Sequence, residues 1–423
     1  MTGPPTARSA RPRRGIAHSS AATFLHNAST KRHITRYGVP RASDVRPDPA
    51  MAIGARHSRG DDGVGSTGTE SAADAAAAGE RRNVSDTAGV ILLGTCAAWS
   101  LITAAAHDGR PEGMLLAVLA LAAGYASGRI CGALLPVAAP CAAALIAWGL
   151  ATTTPHFVTD SPLIGPLGRT GATTALLVLA TGAACCAAWA ARGPVLRSVL
   201  RLPAAGVTVT AALLGSATAT AACAAVLLCS LAAARVRRRV PGLVGLGLAT
   251  ALATGTAWAV AEGVLPDGLT DSLEGQLTPH RVQLWRDALD MAHREPALGV
   301  GPGRFGELSP TVAQSLTPDG KPHSAPLQLA AEQGLVGVAL LAAVFCWVLC
   351  ALWRAARPTP VVLTAGASLT ALAVVATVGN ALSFTAVTAG AGVVAGIATA
   401  RPMVDAGARH EDGTRARGDR SEQ

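Results

Sequence analysis

The feature that most constrains this chain is a series of long, uninterrupted apolar runs. They lie at 87–106, 114–127, 131–152, 171–191, 204–234, 241–259, 325–353 and 360–400. A helix of about 20 apolar residues crosses the hydrocarbon core of a bilayer. Half of the residues are hydrophobic and only 14% are charged, which excludes an ordinary soluble globule and disorder throughout. The sequence predicts an all-α polytopic membrane protein.

Two of the runs are too long for a single crossing. The run 360–400 spans 41 residues and is predicted to turn at Gly379-Asn380. The 31-residue run 204–234 would be about 46 Å long as one helix, against a hydrocarbon core of about 30 Å. Arginine clusters flank it on both sides, and both prefer the cytoplasm. We therefore expect a hairpin that breaks near Gly215-Ser216, and about ten crossings in the whole chain.

The arginines predict a topology. With the basic N-terminus in the cytoplasm, Arg129, the clusters at 192–201 and 235–239, the pair Arg354 and Arg357, and the C-terminus all fall on the cytoplasmic side. The loops 107–113, 153–170 and 260–324 then fall outside. The net charge of +9 does not indicate a nucleic-acid partner, because aromatic residues for base stacking are only 3% of the chain.

This topology divides the chain into five parts. We expect a disordered basic cytoplasmic tail at 1–86, an N-terminal transmembrane bundle at 87–259, an extracytoplasmic loop at 260–324, C-terminal transmembrane helices at 325–400 and a cytoplasmic tail at 401–423. The loop 260–324 is the long polar stretch between spans, and its length indicates a function.

An amphipathic helix is predicted inside this loop. Thr278-Pro279 is typical of a helix start, with Thr as the cap and Pro in the first position, and Pro296 should end the helix. The stripe at helical spacing consists of Val282, Trp285, Ala288, Leu289 and Ala292. We expect this helix to lie at the membrane surface with its apolar face down. A structural lid helix with snorkelling arginines is the alternative.

A glycine-rich turn follows the helix, with Gly301 and Gly303 on either side of Pro302. A dinucleotide-binding loop is excluded, because no strand precedes the turn and Pro302 is incompatible with the required helix. Glycine supplies the backbone freedom of a tight turn, and the N–H groups of such a turn can bind an anion.

Charged residues in and beside the loop suggest an anion site with a base. Arg281, Arg286, Arg294, Arg304 and Lys321 offer cationic contacts to a substrate. His323, at the mouth of the next span, is a titratable base. Glu332 is an ionisable residue inside a span, and so either a functional residue or a partner that holds the loop through an Arg. We expect no metal and no cofactor, because Cys346 and Cys350 share a helix face without a third ligand nearby.

Several motifs in order resemble the O-antigen ligase and polymerase family. They are Arg281-x3-Trp285, then Pro296-x2-Gly299-x-Gly301-x-Gly303-x-Phe305, then His323-Ser324-x2-Leu327-Gln328-x3-Glu332-x-Gly334-x2-Gly337. The resemblance covers about residues 278–340. The many-span layout with one large outside loop is also similar.

The resemblance implies an activity in the bacterial cell membrane. Such enzymes take a glycan from a polyprenyl-pyrophosphate carrier on the outer face and pass it to a hydroxyl of a glycan, lipid or protein acceptor, without a metal or a nucleotide sugar. It implies that Arg281 holds the pyrophosphate leaving group and that His323 activates the acceptor hydroxyl. Physical chemistry agrees, because a bidentate guanidinium suits a pyrophosphate whose charge grows as it leaves, and a neutral imidazole suits proton removal.

One departure from the family pattern keeps other functions open. The family usually carries a second Arg in a Ser-Arg-Gly element of an earlier span, and Ala217 stands at the matching place. Either Arg286, Arg294 or Arg304 supplies the second cation, or the chain is an inactive relative that scaffolds an envelope polysaccharide assembly. A flippase for a lipid-linked glycan is a further alternative, although transporters concentrate polar groups at mid-membrane. Ligase and polymerase remain indistinguishable.

Overall fold

The computed structural model describes residues 67–157, 166–264, 278–314 and 320–401. The predicted tail segments 1–66 and 402–423 lie outside these ranges. Within them the chain is helical, without a strand. The helices are α1 (Thr67–His107), α2 (Glu112–Leu134), α3 (Ala138–Phe157), α4 (Pro166–Ala190), α5 (Pro194–Leu213), α6 (Ala217–Ala233), α7 (Arg239–Glu262), α8 (Pro279–Arg294), α9 (Phe305–Leu308), α10 (Pro310–Ala313), α11 (Ala325–Arg354), α12 (Thr359–Val378) and α13 (Thr385–Thr399), with a 3-10 turn at Ala381–Ser383.

Seven helices in the described part of the chain are long and apolar enough to cross a membrane. They are Ser85–His107 within α1, Gly171–Ala190 within α4, and the whole of α2, α5, α7, α11 and α12. Three shorter apolar helices lie at Ala138–Thr153, Ala217–Ala233 and Thr385–Thr399. The chain is a polytopic membrane protein, as the sequence predicts. Ten crossings stay a prediction, because these three helices are shorter than a full span.

Helices α4 and α12 form the centre of the bundle. Residues 175–180 of α4 and 361–369 of α12 are almost completely buried. The two helices approach closely because Gly182 leaves room for the Ser368 side chain, and the Ser368 hydroxyl donates to the carbonyl of Val178 at 3.2 Å. Small side chains at such a contact allow the dense packing on which helix association in lipid depends.

Glycines bring α2 and α13 into backbone contact. A Cβ atom at Gly124 or Gly128 of α2 would overlap the carbonyl oxygen of Ala389 or Val393 on α13. In return, a Cβ atom at Gly396 of α13 would overlap the backbone of α2. This pairing, as in other membrane proteins, requires residues without side chains at the contact.

Arginines bind helix-terminal carbonyl groups at one end of the bundle, which we call the basic end. Arg357 donates from Nε to the carbonyl of Ala400 at 3.0 Å and from Nη2 to that of Gly132 at 2.6 Å. Arg239 donates to the carbonyl of Ala355 at 2.7 Å. Cations at helix C-termini are favourable because the last carbonyl groups carry partial negative charge. These arginines belong to the clusters predicted to be cytoplasmic, and that orientation stays a prediction.

The two predicted helix breaks are confirmed. The run 204–234 is divided between α5 and α6, where Gly215 has φ +70° and Ser216 caps α6 by accepting from the N–H of Ala219 at 3.2 Å. The run 360–400 is divided after Val378, at Gly379-Asn380. Both breaks could be predicted because each apolar run is too long for one crossing and contains a glycine at which the chain can turn.

Three predicted boundaries require correction. Helix α1 begins at Thr67, so residues 67–86 are not part of a disordered tail; this stretch is rich in alanine, the strongest helix former. Helix α2 continues to Leu134, so Cys131 lies in the last turn of a helix rather than at the start of one. Helix α5 begins at Pro194 rather than at residue 204, because Pro is favourable in the first turn.

Arg129 also differs from its predicted place in a loop. It lies inside α2, and its Nη1 is 2.5 Å from Oδ2 of Asp86 on α1. The pairing explains how a charged side chain is accommodated there, since Asp86 lies at the start of the apolar span Ser85–His107 and Arg129 lies near the end of α2.

Candidate functional site

Helix α8 organises the polar loop around a small apolar core of its own. It begins at Thr278-Pro279 and ends at Arg294, before Pro296, as predicted. We call the buried residues around it the loop core, and they are Ala257, Val260 and Ala261 of α7; Leu284, Trp285, Ala288, Leu289 and Met291 of α8; and Phe305, Val312, Leu327 and Ala331. The expectation that the apolar face of α8 lies on the membrane is therefore wrong. Other parts of the chain cover that face.

Trp285 joins α8 to the segment that carries His323. Its side chain is 1% exposed, and its indole N–H donates to the carbonyl of Pro322 at 2.8 Å. A buried indole usually finds such an acceptor. The bond connects residues 37 positions apart in sequence and fixes the side of α8 that also carries Arg281, one turn earlier.

A second polar contact ties α8 to the following turn. Oδ2 of Asp287 accepts from the Ser309 hydroxyl at 2.5 Å and from the backbone N–H of Thr311 at 3.1 Å. The carboxylate thereby satisfies groups at the start of α10. Together with Trp285, it holds α8 at two points.

Arg281 is a half-buried cation on the inner side of α8. Its burial lowers the pKa of the guanidinium from its ordinary value, because the charged form loses hydration. Among the described residues, no carboxylate forms an ion pair with it. A partly desolvated cation without a counter-charge is suited to bind an anion.

His323 occupies a strained turn between Pro322 and α11. Its φ is +52°, a left-handed conformation that is uncommon for residues other than glycine, and its residue exposure is 7%. Strained conformations of this kind cluster at functional sites. His323 thus directly follows Pro322, whose carbonyl accepts from Trp285, and lies two residues before the start of α11.

Ser324 is a site residue that sequence reasoning did not single out. Its hydroxyl is buried and makes no hydrogen bond with the part of the chain that the structure describes. Buried hydroxyl groups in folded proteins are nearly always hydrogen-bonded, so this hydroxyl is a candidate to bind a polar group of a substrate. The signal was present in the His323-Ser324 motif, but a serine at a helix start is more often a cap.

The glycine-rich turn packs directly on a kink in α11. At Gly334 the backbone leaves helical geometry, with φ +68° and ψ −169°, which frees carbonyl groups of the preceding turn. The N–H groups of Val300 and Gly301 donate to the carbonyl groups of Ala331 and Glu332 at 2.8 and 3.0 Å. In exchange, the N–H of Leu335 donates to the carbonyl of Pro296 at 2.9 Å.

Two glycines are required for this close approach. A Cβ atom at Gly299 would lie 2.5 Å from the carbonyl carbon of Glu332, and one at Gly334 would overlap the carbonyl of Ala297. Both residues also have positive φ, which glycine adopts at little cost.

Glu332 holds the turn from inside the protein. Its buried carboxylate accepts from the backbone N–H of Gly303 and lies within electrostatic reach of Lys321, and it accepts from the Gln328 amide at 3.2 Å. Of the two sequence interpretations, the geometry favours the structural one, with backbone N–H groups in place of the expected Arg. The N–H of Gly301 donates to the backbone carbonyl of Glu332, and the N–H of Gly303 is directed to its carboxylate. The role of these N–H groups as donors to a bound anion stays a prediction.

The remaining cations differ in their surroundings. Arg304 donates from Nη1 to the carbonyl of His107 at 2.7 Å, and its Nε is 3.8 Å from Glu307. The N–H of Arg110 donates to the carbonyl of Pro302 at 2.7 Å. Arg304 therefore binds the loop between α1 and α2. The other three cations of the loop are exposed, namely Arg286, Arg294 and Lys321.

The tip of the α5–α6 hairpin presents no charge. Ala217, the residue at the expected arginine position, is the exposed first residue of α6, and neither the turn nor α6 contains a basic residue. Among the described residues, no group of three or more His, Cys, Asp or Glu side chains could hold a metal ion.

The structure therefore sorts the predicted residues by location. Arg281 and His323 lie on the two segments that Trp285 connects. Gly301, Gly303, Arg304 and Glu332 hold the turn in place. Arg286, Arg294 and Lys321 face solvent.

The comparison with protein families agrees with the motifs. Residues 202–342 match the family model described as O-Antigen ligase, which is 141 of the 423 residues. The matched stretch contains the α5–α6 hairpin, α8, the glycine-rich turn and His323, and the predicted resemblance is confirmed over this third of the chain. No curated protein matches the chain.

Proposed function

We propose that this O-antigen ligase-like chain is a membrane glycan transferase. It takes a glycan from a polyprenyl-pyrophosphate carrier and joins it to a hydroxyl group of a glycan, lipid or protein acceptor. The loop between α7 and α11 faces the outside of a bacterial cell membrane, and both termini are cytoplasmic. The product is a cell-surface polysaccharide, made by ligation to an anchor or by polymerisation of repeat units.

The reaction is a substitution at the anomeric carbon of the donor sugar. The His323 imidazole accepts the proton of the acceptor hydroxyl, and the acceptor oxygen forms a bond with the anomeric carbon. The bond between that carbon and the pyrophosphate oxygen breaks, so polyprenyl pyrophosphate leaves with the electron pair. Arg281 binds the departing pyrophosphate, whose negative charge grows in the transition state.

One observation carries this proposal: the Trp285 indole binds the carbonyl of Pro322 at 2.8 Å. This bond connects the helix that carries Arg281, a cation without an ion-pair partner among the described residues, with the turn that carries His323. Two groups that act on opposite sides of a breaking bond require such fixed relative placement. The buried hydroxyl of Ser324, which has no hydrogen-bond partner in the described part of the chain, supplies a polar contact for the acceptor beside His323.

A second candidate function is an inactive scaffold of polysaccharide assembly. Ala217 favours it, because the hairpin tip offers no cation to a second phosphate. A flippase is disfavoured, because a transporter places its polar groups at mid-membrane, whereas the cations described above lie at helix ends and in the loop.

The direct test is release of polyprenyl pyrophosphate from a lipid-linked oligosaccharide by the purified protein in nanodiscs, with the host envelope fraction as acceptor. We expect the wild type to release the carrier and His323→Ala to release about a hundredfold less. His280→Ala is the matched control, because His280 is exposed on the first turn of α8. A correctly inserted wild type that releases nothing from several donors would support the scaffold.

A further inference from the structure

The stretch 171–261, which covers most of α4 to α7, carries arginines without any acidic residue. From residue 171 to residue 261 the sequence contains no Asp or Glu. The arginines in this stretch are Arg192, Arg197, Arg201, Arg235, Arg237, Arg238 and Arg239. Six of them lie in the connections α4–α5 and α6–α7 or in the first turn of the helix that follows, and Arg201 lies one turn further into α5. Their charge therefore needs anions from outside this stretch.

An apolar cavity is lined in part by one of these arginines, Arg201. It lies between α4, α5 and α6 and has a volume of about 410 Å³. Its apolar lining includes Cys185, Ala188, Ala205, Ala224, Leu227 and Leu231. Arg201 is the one charged residue among the lining side chains. A cavity with hydrocarbon walls and a cation at its rim suits an amphiphile with a negative head.

The Trp189 ring places the guanidinium group of Arg197 close to that of the cavity residue Arg201. The Cζ atoms of Arg197 and Arg201 lie 5.2 and 4.9 Å from the centre of its ring, within the range of cation–π attraction. The indole is itself fixed, because its N–H donates to the Ser230 hydroxyl at 2.9 Å. Two cations are thus held on one aromatic ring.

Arg197 and Arg201 form a pair of neighbouring positive charges that a bound anion would stabilise. Like charges placed close together repel each other, and Nε of Arg197 is buried without a hydrogen-bond partner in the described part of the chain. Its Nη2 donates to the carbonyl of Ala191 at 3.2 Å. A phosphate oxygen would relieve the repulsion and accept from guanidinium groups.

We propose that this site binds one anionic phospholipid, with an acyl chain in the cavity and the headgroup phosphate on Arg197 and Arg201. The occupant follows from the combination of an apolar cavity, a paired cationic rim and a stretch without carboxylates. The proposal does not depend on glycan transfer, because the site lies at the opposite end of α5 and α6 from the Gly215 turn.

Native mass spectrometry of the full chain tests the charge requirement. The protein is released from nanodiscs that contain equal amounts of phosphatidylglycerol and phosphatidylcholine. We expect one retained phosphatidylglycerol, and Arg201→Gln to lower its retention about fivefold, the effect of one cation near an anionic headgroup. Arg238→Gln is the matched control, since it removes the same charge from an exposed position just before α7.

A second pair of variants tests the acyl-chain requirement without a change of charge. Ala224→Phe fills the cavity, whereas Ala225→Phe adds the same side chain at an exposed neighbouring position that does not line it. We expect only Ala224→Phe to lower retention. Equal retention of phosphatidylcholine, equal effects of the two arginine variants, or displacement of the lipid by inorganic phosphate or polyprenyl phosphate would overturn the proposal.

Discussion

The loop core and the α5–α6 hairpin tip both lie in the stretch that matches the O-antigen ligase family, but they are built differently. The loop core buries Trp285 and holds Arg281 and His323 on connected segments. The hairpin tip is exposed and presents Ala217 where the family pattern expects an arginine. The loop core therefore carries a cation that suits pyrophosphate, whereas the hairpin tip carries none.

The kinds of contact in the two regions explain this difference. Long-range hydrogen bonds hold the loop core, such as those from Trp285 to Pro322 and from Val300 to Ala331. Local features shape the hairpin tip, namely the positive φ of Gly215 and the cap by Ser216. A turn shaped by its own residues tolerates substitution at an exposed neighbour, whereas a core assembled from distant segments does not.

The largest expected effect separates two arginines of α8. Arg281→Ala should lower release of polyprenyl pyrophosphate about 100- to 1,000-fold, as expected when a donor to developing negative charge is removed. Arg286→Ala should leave release unchanged, because Arg286 is exposed on the other side of the helix. Single-turnover assays in nanodiscs would measure both. An equal loss in the two variants would remove Arg281 from its assigned role.

A smaller effect is expected from the contact that connects the two segments. Trp285→Phe keeps an aromatic ring but leaves the carbonyl of Pro322 without its donor, which should cost about 1–3 kcal/mol of stability. Release should fall about tenfold, because the spacing between Arg281 and His323 becomes less exact. Thermal unfolding and release assays would measure both quantities.

Trp258→Phe is the control for this prediction, since Trp258 packs at the edge of the same loop core. Release that stays at the wild-type level in Trp285→Phe, despite lowered stability, would show that the contact supports folding but not the reaction.

Restoring charge at the hairpin tip tests the other half of the comparison. Ala217→Arg should raise release up to about tenfold, the value of one hydrogen bond to a charged phosphate. Thr218→Arg, at the next exposed position, should have no effect because its side chain leaves the helix in a different direction. If neither variant changes release, the hairpin tip does not face the donor.

The smallest expected effect is a change in pH dependence. Burial lowers the pKa of Arg281, and the same burial would lower that of a lysine from its ordinary value of about 10.4. Arg281→Lys should therefore lose its charge, and its release activity, as the pH rises into a moderately alkaline range where the wild type stays active. Parallel pH profiles for the two proteins would contradict a desolvated site at this position.

Much of the architecture could be predicted from local sequence signals. Thr278-Pro279 marked the start of α8, and Gly215 and Gly379 marked the breaks in two overlong runs. These features can be predicted because Thr, Pro and Gly have conformational preferences that act locally. The length of an apolar run, in turn, limits how often it can cross the membrane.

The contacts that decide the roles of the site residues could not be predicted in this way. Arg304 was a candidate for the second cation, but it binds the carbonyl of His107, 197 positions away. Glu332 was a functional candidate, and its carboxylate accepts from Gly303 across the kink of α11. The loop core likewise covers the apolar stripe of α8, which an isolated amphipathic helix would turn to lipid.

The most direct test of the account is a double-mutant cycle on the release of polyprenyl pyrophosphate, with Arg281→Ala, His323→Ala and the double variant. If the two residues act on the same bond-breaking step, the effects are strongly non-additive, and the double variant releases carrier no more slowly than the worse single variant. Two effects that simply multiply, or a His323→Ala variant as fast as the wild type, would contradict a shared site in the loop core.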